Sequence, residues 1–206
     1  MFLKPRSMTA SHLIIFLHGI GASGEQLAPL ASSWRAHLPD FAFATPDAPV
    51  RNSYGGHQWF KVDGMQLDPG RIRQAREAFD RKIRDVVSRE GFDGRLDHVA
   101  FVGVSQGAIV ALDGVASARW KIGALVAFSG LLPPGPVPPD GGRTPVLLIH
   151  GADDRTIPSA ASTIAAGQLR SAGFRVELDV EPRVGHTIST TGAGKALAFL
   201  QSAFRR

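Results

Sequence analysis

Six short apolar runs punctuate the chain, at 12–17, 41–45, 98–103, 122–128, 145–150 and 174–180. Most are continuous rather than alternating, the pattern of strands covered on both faces. Between them lie stretches of helical period near 25–37, 70–90, 106–118, 158–172 and 192–204. In the second of these, Ile72, Ala75, Phe79, Ile83 and Val86 recur on one face. Strand alternating with helix predicts βαβ units, a mostly parallel sheet of about six or seven strands, and helices on both faces. The 206 residues fit a single domain, 1–206, large enough for a substantial core and with no inserted cap domain in the pattern.

Two long connections break this rhythm. Residues 46–68 carry Tyr54, Gly55, Gly56, Trp59 and Phe60, and residues 130–144 carry Pro133, Pro134, Pro136, Pro138 and Pro139. Both follow predicted strands, so both emerge at the C-terminal edge of the sheet, where open α/β sheets bind ligands. Loops of this length in a compact domain are functional or disordered. The aromatic loop reads as a pocket wall and the proline loop as a stiff spacer.

Composition narrows the field. Apolar content of 44% and charged content of 20% describe an ordinary globular chain. No apolar run is long enough to cross a bilayer, so stable membrane insertion is not expected. The stretch Leu13–Leu17, behind Lys4 and Arg6, is too short for a secretory segment, which makes the cytoplasm the default location. There is no cysteine, which removes disulfides, thiolate metal sites and any thiol nucleophile. The net charge of +5 would suit an anionic partner. However, Arg73–Glu77, Arg76–Asp80, Glu77–Arg81 and Arg81–Asp85 fall at i,i+4 spacing, a self-paired solvated face. No nucleic-acid motif accompanies the charge, so no nucleic-acid partner is expected.

The chemistry concentrates in turns that follow strands. Gly103-Val104-Ser105-Gln106-Gly107 stands between the run ending at Val102 and the helix-compatible Ala108-Ile109-Val110. A serine between glycines at a strand-to-helix turn is held on a strained backbone with its hydroxyl exposed. The helix N-terminus beneath it offers free N–H groups to a developing negative charge. A serine hydroxyl needs a base, and the base needs an orienting acid. Pro145-Val146-Leu147-Leu148-Ile149 leads into His150-Gly151-Ala152-Asp153-Asp154, where either aspartate could serve. The next strand leads into Val184-Gly185-His186. Serine, aspartate and histidine thus come in the chain order that α/β-hydrolases use.

The other histidines read more plainly. His18 is a loop-shaping residue at the end of the first strand, and His150 bonds backbone around the acid's turn. His57 lies in the aromatic loop, with substrate contact open to it, and His12, His37 and His98 are incidental. No histidine pair has metal-binding spacing and the carboxylates do not cluster, so neither a metal nor a cofactor is expected. Gly19-Ile20-Gly21-Ala22-Ser23-Gly24 matches the spacing of a dinucleotide loop, with Asp40 or Asp47 as a candidate ribose acid. The competing reading, an oxyanion loop, also accounts for the Ser, Asp and His series.

Several stretches together resemble the phospholipase/carboxylesterase family of α/β-hydrolases, which includes the acyl-protein thioesterases. They are Phe16-Leu17-His18-Gly19-Ile20-Gly21, Gly103–Gly107, Phe128-Ser129-Gly130-Leu131-Leu132-Pro133, His150–Asp154 through Pro158, and Gly185-His186-Thr187-Ile188-Ser189. The resemblance implies Ser105 as nucleophile, His186 as base and Asp154 as acid, with the backbone N–H groups of Ile20 and Gln106 forming the oxyanion hole. The first clear strand starts near residue 12, so the opening antiparallel strands of the wider fold are expected to be shortened or absent. Trp59-Phe60 is similar to the family's aromatic pair, though its surroundings differ. The acyl pocket is expected to be lined by Ile20, Trp59, Phe60, Leu131 and Leu132. The expected substrate is a small acyl ester or an acylated carrier, with thioesters, lysophospholipids and amides as alternatives. A homodimer is compatible with this reading, and a fold retained only for binding is its non-enzymatic rival.

Overall fold

The computed structural model describes residues 10–139 and 143–205. Six strands form one sheet in the order β2-β1-β5-β6-β7-β8: β1 (His12–Leu17), β2 (Phe41–Ala44), β5 (Val99–Val104), β6 (Ala124–Phe128), β7 (Val146–Gly151) and β8 (Val176–Glu181). Every pairing in it is parallel, and the residues where an opening antiparallel strand would fall lie outside the described residues. A second, two-stranded hairpin joins β3 (Val50–Arg51) to β4 (His57–Gln58) inside the aromatic connection. Two-residue strands are too short to carry a period, so the pattern of apolar positions did not reveal them.

The continuous apolar runs are explained by two separate cores. Leu13, Ile15 and Leu17 of β1 point to one face, where they meet Phe101, Leu125 and Leu148. Ile14 and Phe16 point to the other and meet Val102, Val126 and Phe128. Alternate residues face opposite sides of a strand, so a strand with both faces covered is apolar throughout. Each such side chain contributes about 1.5–3 kcal/mol on burial.

Helices α2 (Pro69–Arg89), α3 (Gln106–Ala116) and α4 (Ala160–Ser171) cover the first face, and α1 (Ala28–Trp34) and α5 (Thr190–Phe204) the second. Helix α2 opens on Asp68, whose carboxylate accepts the Arg71 N–H at 3.0 Å, with Pro69 in the first turn. Its inner face carries Phe79, Ile83 and Val86, as the period requires. The predicted Arg76–Asp80 pair is not what forms. Arg76 reaches Asp113 of α3 at 2.6 Å, while buried Asp80 takes Arg119 at 3.2 Å and the Trp120 indole N–H at 2.7 Å. Asp80 is buried toward the neighbouring helix, so its hydrogen-bond partners Arg119 and Trp120 come from across the interface, with Arg84 of its own helix 3.8 Å away.

From β1 the chain passes through α1 to β2 on one side; from β5 it passes through α3 to β6 on the other. The C-terminal ends of β1 and β5 therefore flank the switch point of the sheet, where a crevice opens. Gly19 and Ser105 meet there: a Cβ built on Gly19 would lie 3.4 Å from Ser105 Cβ and 3.9 Å from its Oγ.

Candidate active site

Ser105 links β5 to α3 with φ 52° and ψ −117°, a conformation that side chains rarely adopt. Its N–H donates to the Phe128 carbonyl at 2.9 Å, tying the turn to β6. The flanking glycines are required sterically. A Cβ on Gly103 would sit 2.6 Å from the Ala108 backbone, and one on Gly107 would sit 2.1 Å from the Leu17 carbonyl. Although Ser105 stands at the helix N-cap, its side chain makes no capping hydrogen bond.

Asp154 lies beyond β7 in a turn stitched to the loop after β8. Ala152 N–H donates to the Glu181 carbonyl at 2.8 Å, and Asp153 N–H to the Val184 carbonyl at 2.9 Å. Gly151 permits this approach, since a Cβ there would lie 2.2 Å from the Val184 carbonyl oxygen. The stitching brings His186 to Asp154, with Nδ1 2.6 Å from Oδ2. Asp154 Oδ1 accepts the N–H groups of Thr156 and Ile157 at 2.8 and 2.9 Å. Burial alone would raise the carboxyl's pKa, but the His186 ring and the two N–H groups outweigh it and hold the group at about 2. Asp153 is exposed, and of the two aspartates it is Asp154 that contacts His186. Among the described residues Ser105 and His186 share no hydrogen bond; contacts of this kind tighten when substrate binds.

The loop after β1 meets the same crevice. His18 is buried; its Nδ1–H donates to the Gly19 carbonyl at 2.7 Å, and its Nε2 accepts the Ala48 N–H at 2.9 Å. Burial lowers its pKa, and both ring nitrogens are engaged by backbone, one on each side of the crevice loop. Gly21 N–H donates to the His57 carbonyl and His57 N–H to the Ala22 carbonyl, both at 2.8 Å. This locks the hairpin against the loop and leaves the Ile20 side chain 44% exposed at the mouth.

Gly24, the third glycine of the dinucleotide-like spacing, donates its N–H to Asp47 at 2.8 Å, which lowers the Asp47 pKa. The Gly24 N–H is thus taken by a carboxylate, and a Cβ on Gly24 would lie 1.8 Å from the Thr45 carbonyl oxygen. Close packing against Thr45 and Pro46 therefore requires the glycine.

The expected pocket residues differ in placement. Phe60, Leu131 and Leu132 are half-buried, with Phe60 and Leu132 resting on the core. Trp59 is 1% exposed and belongs to the core, its indole N–H donating to the His18 carbonyl at 2.9 Å. The His57 ring stands 3.7 Å from Asp47. Two side-chain roles escaped the sequence. The buried Gln106 amide accepts the Trp59 N–H and donates to the Phe60 carbonyl, foreshadowed only by its being polar at the head of an apolar helix. His150 reaches Asp154 Oδ2 as well as the Ile157 carbonyl. A concavity of about 760 Å³ beside His12, His98, Lys121 and Arg143 contains none of these residues. Among the described residues no helix is long and apolar enough to cross a membrane.

A parallel doubly wound sheet, a strained serine at its switch point and an aspartate–histidine pair on the same edge define an α/β-hydrolase. The chain belongs to the Phospholipase/Carboxylesterase family, whose pattern matches residues 2–204. It is similar to the crystal structure of esterase PE8, at 31% identity and a TM-score of 0.83 over 95% of this chain and 94% of that one. Esterase YpfH of Escherichia coli (strain K12) is 27% identical over 195 residues, 93% of this chain and 83% of its own length. Acyl-protein thioesterase 1 of Neurospora crassa is 23% identical over 205 residues, 90% of this chain and 84% of that protein. Family and fold make the protein a hydrolase of the carboxylesterase type.

Proposed function

We propose that the protein cleaves carboxylic esters of short to medium acyl chains through an acyl-enzyme on Ser105. The observation carrying this reading is the 2.6 Å contact between His186 Nδ1 and Asp154 Oδ2 on the sheet edge that also bears strained Ser105. Because Nδ1 donates to the carboxylate, Nε2 keeps its lone pair for the serine proton. Ser105 Oγ bonds to the acyl carbon as that proton passes to His186. The oxyanion so formed takes the N–H groups of Ile20 and Gln106. His186 returns the proton to the leaving oxygen as the acyl C–O bond breaks, and water, deprotonated by the same imidazole, releases the acid. Asp154 holds the imidazole's tautomer and stabilises its charged form.

The acyl chain would leave the crevice past Ile20, Phe60, Leu131 and Leu132, with the Trp59 ring beneath. The match to acyl-protein thioesterase 1 supports a second substrate class, thioesters, on the same residues. Comparing oxygen and thiol esters of equal chain length separates the two. Hydrolysis of p-nitrophenyl butyrate and labelling by a fluorophosphonate are both expected to vanish in Ser105→Ala. Turnover that survives in that variant refutes the nucleophile, and a wild-type protein that neither labels nor turns over refutes the enzyme.

A further inference from the structure

Asp154 is approached by a second histidine. His150 is wholly buried on β7, with Nε2 2.8 Å from the Ile157 carbonyl and 3.2 Å from Asp154 Oδ2. A carbonyl only accepts, so Nε2 carries a proton, which the Ile157 carbonyl takes, and the carboxylate oxygen stands beside the same N–H. The other ring nitrogen, Nδ1, lies 2.7 Å from the hydroxyl of Ser162 on α4. That hydroxyl also has the Gly130 carbonyl within 3.4 Å, so it can turn to suit Nδ1 and anchor the ring from behind. The oxygen that binds His186 therefore has the ring of a second imidazole beside it, 3.2 Å away at Nε2.

We infer that His150 is a positioning residue for the acid: it orients the Asp154 carboxylate and limits the negative charge that Oδ2 presents to His186. This rests on the proposed roles of Ser105, Asp154 and His186. The groups facing Asp154 are His186 from the β8–α5 turn, His150 from β7, and the N–H groups of Thr156 and Ile157. Those facing His150 are Ser162 from α4, the Ile157 carbonyl and Asp154 itself. With the His150 donor removed, Oδ2 becomes a stronger acceptor. It then holds the protonated form of His186 more firmly, and the carboxylate loses the positive end of the N–H dipole packed beside it.

The test compares His150→Gln, whose amide N–H can replace Nε2–H, with His150→Leu, which offers no donor. For His150→Leu, kcat on p-nitrophenyl butyrate is expected to fall roughly ten- to a hundredfold with KM nearly unchanged. The acid limb of its kcat/KM profile should move up by roughly half a pH unit or more. His150→Gln should restore both toward wild type. A folded His150→Leu with limb and kcat unchanged overturns the proposal. So does an equal loss in both variants with the limb unmoved, which is what a packing role would give. If His150→Leu does not fold, Ser162→Ala decides: a smaller loss with the limb displaced the same way supports the proposal, and wild-type behaviour overturns it. Fluorophosphonate labelling of Ser105 separates the two levels. Labelling with an unmoved limb sinks the His150 role alone, whereas an unlabelled wild-type protein sinks the site reading and the His150 role with it.

Discussion

The side chain of Gln106 accepts the Trp59 N–H at 2.7 Å and donates to the Phe60 carbonyl at 2.8 Å. The residue that opens the helix after Ser105 thereby clamps the aromatic loop, and that loop in turn holds the turn after β1 through His57. One side chain links the two N–H groups proposed for the oxyanion. Gln106→Ala leaves the buried Trp59 N–H and the part-buried Phe60 carbonyl without this partner, the first costing about 1–3 kcal/mol and the second less. The expected outcome is a melting temperature lower by several degrees and a kcat reduced roughly tenfold or more, because the backbone donor of residue 106 survives but its counterpart loses its brace. Parallel thermal melts and kinetics check this; an unchanged kcat in a destabilised protein would mean that the clamp serves stability alone.

Asp154→Asn tests the acid more sharply than alanine does. Oδ1 accepts two backbone N–H groups, so the asparagine must keep its carbonyl oxygen there and turn its NH₂ toward His186 and His150. Donor then faces donor, and His186 escapes by moving its proton to Nε2, where a base must be bare. A kcat loss on the order of 10⁴ is expected with KM little changed. Steady-state kinetics on p-nitrophenyl butyrate measure it, and a loss of less than about tenfold would argue that Asp154 does not set the tautomer.

Much of this arrangement was readable from the chain because each candidate side chain follows a strand whose apolar run is unmistakable. β1, β5 and β7 are covered on both faces, so their ends, and the turns carrying Gly19, Ser105 and Asp154, are well marked. What stayed hidden depends on contacts distant in sequence. The β3–β4 hairpin is only two residues per strand. Gln106 and Trp59 are 47 positions apart, and no local pattern signals their bond. His150 and Asp154 are four apart, but only the tight turn that Asp154 N–H makes to the Gly151 carbonyl brings carboxylate and ring together. Trp59 reads as a wall residue because it is aromatic and sits in a loop. It is core because its indole N–H finds the buried carbonyl of His18.

Gly56 is where the hairpin touches the turn after β1. Its φ is +64°, and a Cβ there would lie 2.3 Å from the Gly21 carbonyl oxygen and 2.7 Å from that of Ala22. Both contacts are with backbone, so no side-chain rotation relieves them. Gly56→Ala must push the turn away from the hairpin or break the paired hydrogen bonds of His57. Either movement displaces the Ile20 N–H relative to Ser105. A kcat loss of roughly a hundredfold is expected from losing one oxyanion donor's placement, against a wild-type-like far-UV circular dichroism spectrum. Gly55→Ala is the control. Its φ of +108° strains a side chain at least as much as the +64° of Gly56, but a Cβ there meets nothing within 4 Å. If both variants lose activity equally, strain in the hairpin rather than pressure on the turn is responsible.

Asp154 also links the site to acid stability. Its carboxyl stands at about 2 in the folded protein, against an ordinary value of 3.8. A group whose folded value is depressed stabilises the native state above its unfolded value. That contribution is lost as pH falls from about 4 through about 2, because the native state then has to take up a proton it resists. The difference amounts to about 2 kcal/mol at neutral pH. The wild-type protein should therefore lose stability more steeply than Asp154→Asn between pH 5 and pH 2, since the amide has no proton to take up. At neutral pH the wild type should be the more stable of the two. Urea unfolding of both proteins at pH 7, 4 and 2.5 reads the effect directly. Parallel curves across that range would show that the His186 and backbone contacts to this carboxylate carry no net linkage to protons.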